Sequence, residues 1–280
     1  MQGGLPHYDF DSPEKTWELP KALTEVSGIA FTGPSTLALV QDERGSLYFL
    51  DLEEDSDGDV SRSKFGPKGD YEGLDRAGDR LLVLRSDGAV LELDLEGSAL
   101  GDFKQPLETV PYTEFESIAF EPTRDRWLVM PKDRVSKGDR RKDDRVLFGL
   151  SPGALMLDPE PVLVLSVKET IQAAEERGWP LPTRVSKKGN EKIDFDFRPS
   201  DLAVHPITGD YFMISGKDRT LIVVSPAGEL LGTATFPASM LAQPEGLAFQ
   251  PNGDLLIASE GVGGKKRRAA VIKRFPFRTR

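Results

Sequence analysis

Apolar residues in this chain fall into short runs of strand length rather than long helical stripes. One pattern recurs five times: a small or acidic residue, a short apolar run, a turn, and a second apolar run. The copies open with SGIAF at Ser27, EGLDR at Glu72, ESIAF at Glu116, SDLAV at Ser200 and EGLAF at Glu245. Successive starts are 45, 44, 84 and 45 residues apart, so three intervals nearly agree and one is about doubled.

The second runs are TLALVQD, RLLVLRS, RWLVMPK, YFMISGK and LLIASEG, and a third follows in every copy: SLYFLDL, AVLELDL, RVLFGL, TLIVVS and AAVIKRF. Their Val, Ile, Leu and Phe content, punctuated by Gly, Asp, Asn and Pro, predicts antiparallel strands. A repeat of about 40–45 residues holding one small antiparallel sheet is the spacing of β-propeller blades. The sequence thus predicts an all-β, five-bladed β-propeller, one domain over residues 16–280 with an N-terminal extension over 1–15. Outer strands are expected at DVSRSKF, SALGDFKQP, PVLVLSV and ELLGTATF. TWELPKAL, from Thr16, is expected to close the last blade and so remove an exposed sheet edge.

The long interval holds the exceptions. Residues 132–145 read as a charged insertion within the third blade, and 168–179 as the one helix, ended by Pro180 and Pro182. Residues 184–192 read as a basic surface loop. The insertion over 132–195 either lids the channel or decorates the rim.

Composition narrows the chemistry. With 280 residues, 38% apolar and 29% charged, the chain is an ordinary globular one. Its mean hydropathy is -0.35. A net charge of -10 repels nucleic-acid phosphate and anionic headgroups and favours a cation as partner. The lack of cysteine removes thiolate chemistry and cysteine metal sites, and two histidines, His7 and His205, are too few for a multi-histidine zinc site. The first twenty residues carry no leader pattern, and no window reaches the ~18 apolar residues of a membrane span.

The runs SGIAF…LALVQDERGSLYFLDL, KFGPKGDYEGL, RPSDLAVHPITGDYFMISGK and QPEGLAFQPNGDLLIASEG together resemble the SdiA-regulated family, a bacterial group distantly related to NHL-repeat proteins. The resemblance spans residues 16–275. It implies a five-bladed propeller with a bound calcium ion, and a periplasmic or envelope location where an export signal has been removed. It implies no particular reaction.

In a propeller the innermost strand of each blade lines the axial channel, so Ser27, Glu72, Glu116, Ser200 and Glu245 form a ring. Three carboxylates on one axis repel one another unless a cation neutralises them. Calcium suits such a set of carboxylate, hydroxyl and carbonyl oxygens, and Asp201, beside Ser200, is a further candidate ligand. The plainer reading is that the glutamates line a water-filled channel. Asp42, Glu43, Lys132, Lys217 and Glu260 end the second strands, where loops of all blades gather on one face. That mixed charge suits a small polar ligand, a protein partner or plain solvation.

Weaker signals carry less. Asp55, Asp57 and Gly58 have calcium-loop spacing, but Lys64 stands where the closing Glu belongs, so the stretch reads as a solvated loop. GGKKRR, from Gly263, reads as a hairpin loop rather than a nucleic-acid patch. FGPKGD lacks phosphate-loop order, and His205 has no serine partner for catalysis. No catalytic residue is assigned. The first functional reading is a calcium-binding interaction module with a structural axial cation. The alternatives are a calcium-dependent hydrolase of lactonase or phosphoesterase type and a protein scaffold using the insertion.

Overall fold

A computed structural model describes residues 2–53, 60–112, 114–132, 143–263 and 268–279. The fold is a five-bladed β-propeller, and its blades are sheets of consecutive antiparallel strands. The innermost strands are Val26–Phe31, Tyr71–Ala77, Phe115–Glu121, Asp201–Val204 and Pro244–Phe249.

Five hydrophobic clusters fill the five seams between neighbouring blades. This explains the continuous apolar runs, because each central strand is covered on both faces. In the second strand of the second blade, Leu81 and Val83 face the first blade while Leu82 and Leu84 face the third.

The ends of the chain meet. Lys15–Glu18 pairs with Val271–Phe275 as the outermost strand of the fifth blade, bonding the ring shut with a segment some 250 residues away in sequence. The residues before it are packed too. Gln2–Gly3 adds a fifth strand to the fourth blade, and Leu5, Tyr8 and Phe10 are buried in the seam between the fourth and fifth blades. Gly3 lies so close to the Trp179 ring that a Cβ there would collide with it.

Two expectations are corrected. SALGDFKQP makes only isolated bridges, Leu93 to Ala99 and Val90 to Lys104, so the second blade has three strands. Gly101 and Pro106 interrupt the ladder in that stretch. Residues 184–192, read as a loop, lie in a small hairpin of Thr183–Val185 and Glu191–Ile193.

The helix, Val167–Arg177, is N-capped by Ser166, which accepts the Glu169 N–H, and ends at left-handed Gly178. It buries Val167 and Ala174 in the seam between the third and fourth blades. The helix therefore wedges the periphery and does not lid the channel. Most of the charged insertion, the 55–58 calcium-like stretch and most of GGKKRR lie outside the described residues.

Candidate functional site

A β-bulge builds the axial ring. The pairing of first and second strands skips one residue in four blades, and the skipped residues are Ser27, Glu72, Glu116 and Glu245. A bulge residue has no cross-strand partner, so its side chain is free to turn off the sheet. Ser200 precedes the strand in the fourth blade, its N–H held by the Ile214 carbonyl. All five line one cavity of about 660 Å³ at the channel mouth.

Two further tiers share that cavity. Asp42, Lys132, Lys217 and Glu260 come from the ends of second strands, as their alignment suggests; Glu43 does not line it. Asp70, Glu114, Arg198 and Gln243 stand two residues before ring positions, and sequence reading passed over them. The period-two alternation of a strand was the signal that could have found them. Among the described residues the cavity thus holds seven carboxylates against three basic side chains.

Each ring group has a local partner. The Lys132 ammonium lies 2.6 Å from Glu116 Oε1. Glu245 accepts hydrogen bonds from the Ser200 and Gln243 side chains, and a Cβ at Gly216 would collide with its carboxylate. Ser27 Oγ donates to the Tyr71 carbonyl of the next blade at 2.6 Å. Glu72 is hydrogen-bonded to Asp70.

Burial pushes the carboxyls of Glu72, Glu116 and Glu245 above the usual range, and the charge of Glu116 adds to the effect on Glu72. Burial raises Glu260 to about 8 and Asp42 to about 6, each helped by acidic neighbours. Lys132 is pushed up by its bond to Glu116 and by the charges of Glu116, Glu72 and Glu245, which together outweigh the opposing effect of burial.

Asp201 sits elsewhere. It is buried in the seam between the fourth and fifth blades, where Oδ1 accepts the Leu202 N–H at 2.8 Å and Oδ2 the Leu247 N–H at 2.6 Å. The equivalent positions in three blades are Gly28, Gly73 and Gly246, each pressed against the next blade. Asp75, which sequence reading did not single out, makes the matching contact between the second and third blades, accepting the Phe120 N–H at 2.7 Å.

The donor set is rich in oxygen, the ligand atom of hard cations. Ring carboxylates face separate partners, an ammonium already sits on Glu116, and among the described residues no three His, Cys, Asp or Glu groups converge to hold a metal ion. His205 is also accounted for structurally, buried against Tyr8, Phe212, Phe249 and Phe277. Among the described residues no helix is long and apolar enough to cross a membrane.

Fold and site together define a five-bladed propeller with an acidic channel mouth. No protein-family model and no curated protein matches the sequence. Among solved structures, the chain is similar to Myxococcus xanthus glutaminyl cyclase at 12% identity and a TM-score of 0.60, covering 96% of this chain and 97% of that one. It is also similar to a luciferin-regenerating enzyme at 11% identity and a TM-score of 0.51, with 95% of each chain covered. The nidogen/laminin complex matches at 11% identity and a TM-score of 0.50, over 84% of this chain and 72% of that one. At these identities the likeness is one of fold.

Proposed function

We propose that this protein is a binding module of the SdiA-regulated kind whose ligand seat is the channel mouth, and that the ligand is small, polar and positively charged. The carrying observation is the excess of carboxylates in one cavity, with Glu72, Glu116, Glu245 and Glu260 all held above their ordinary range by burial and, in part, by one another. A cation entering there relieves that repulsion and displaces protons. About 660 Å³ suits a small molecule. An organic ammonium and a calcium ion share the required charge; calcium would draw on Glu72, Glu116, Glu245 and Ser27. Two of the similar structures are enzymes, but likeness at 11–12% identity brings no reaction with it.

Calorimetric titration with calcium chloride, ethylammonium chloride and putrescine tests the proposal, paired with thermal melts. Heat and a raised melting temperature with any of the three, both lost in Glu72→Gln, support it, since a ligand selective for the native state stabilises it. Silence with all three overturns it and leaves the glutamates as channel lining.

A further inference from the structure

The mouth already contains a cation of its own. Among the described residues three basic side chains reach the cavity, but Lys217 and Arg198 are both engaged by Asp196, at 2.8 and 3.1 Å. Of the three, Lys132 is the one in contact with a ring carboxylate. Its ammonium touches Glu116, which is almost wholly buried, and its charge acts on Glu72, Glu245 and Glu260 as well. One ammonium thus serves four carboxylates contributed by three blades.

Its position follows from the repeat. Lys132 comes directly after the strand Arg126–Pro131, and its backbone N–H donates to the Glu114 carbonyl at 3.1 Å. The matching strand-end residues in the first and fifth blades are Asp42 and Glu260, which are acidic. In the third blade this strand end carries a base, and it lies against Glu116.

We propose that Lys132 is the built-in counter-ion of this propeller: its ammonium takes the charge-balancing place of an axial metal ion, so the unmodified chain takes no calcium at the mouth, and removing the ammonium frees Glu116 to turn with Glu72 and Glu245 onto a calcium ion. The physical reason is competition for the same oxygens. A calcium ion needs six to eight oxygen ligands. Here it would have to share Glu116 with an ammonium 2.6 Å away, a like-charge contact in a partly desolvated cavity. The inference rests on the reading of the mouth as a cation seat only for its location, and it narrows the seat to organic cations.

Calcium titration and melting of the unmodified chain, Lys132→Met and Lys132→Arg above pH 8 test it. The expected result is calcium binding with one-to-one stoichiometry and a raised melting temperature in Lys132→Met alone. Ethylammonium, restoring the lost ammonium, should raise the melting temperature of that variant more than that of the unmodified chain. Lys132→Arg keeps the charge and should stay insensitive to calcium. One-to-one calcium binding by the unmodified chain, lost in Glu72→Gln, overturns the inference, and this arm stands even where a Lys132 variant folds poorly. A folded Lys132→Met that ignores calcium overturns it too. Binding of ethylammonium by the unmodified chain would still uphold the cation seat in either case, so the two proposals fail separately.

Discussion

The carboxylate of Asp201 accepts the backbone N–H of Leu247 at 2.6 Å, joining the innermost strands of the fourth and fifth blades. Those strands are not paired to each other in a sheet, so their inward backbone groups need partners from elsewhere. Asp75 does the same for Phe120 across the seam between the second and third blades.

Removing either carboxylate leaves a backbone donor without a partner. Asp201→Ala should cost about 1–3 kcal/mol, the usual penalty for such a group. Asp201→Asn keeps one oxygen for the Leu247 N–H and should cost less. Urea denaturation of the two variants checks this order; equal losses would show that the hydrogen bond to Leu247 is not what the seam needs.

The acidic mouth should make stability fall with rising pH. Glu260 has its pKa raised from 4.5 to about 8, chiefly by burial. The native state therefore holds a proton that the unfolded state has released. That contribution is complete below about pH 4.5 and is lost as the pH rises through about 8. Glu260→Gln should flatten the decline and melt higher than the unmodified chain above pH 8. Melting curves across that range decide it.

His205 acts in the opposite direction. Its Nδ1 accepts the N–H groups of Ile207 and Thr208, so Nε2 carries the proton and donates to Tyr8, whose hydroxyl donates to the Gly253 carbonyl. Burial lowers the ring from 6.5 to about 4. The unfolded chain takes up a proton first, so this contribution is complete above about pH 6.5 and is lost as the pH falls through about 4. His205→Gln should lose less stability than the unmodified chain between those limits, measured as the shift in urea midpoint.

The first ten residues should matter as much as any blade. Phe10 is 1% exposed and packs against Phe236 and Phe275. Phe10→Ala should cost about 3–5 kcal/mol, as for a core aromatic. A change within about 0.5 kcal/mol, the range of surface substitutions, would show that this segment is not bound into the seam.

The sequence by itself determined the blades. A strand covered on both faces must be apolar throughout, so runs such as RLLVLRS and LLIASEG announced themselves, and their spacing fixed the count at five. The register of the repeats also placed Glu72, Glu116 and Glu245 in one ring. The tertiary structure decided what that ring does with its charge. The bulges that free the glutamates and the turn of Lys132 onto Glu116 are set by strand pairing within a blade, and the reach of Asp201 to Leu247 by how one blade meets the next. A repeat fixes which residues share a position, whereas the distance between blades fixes which of them touch.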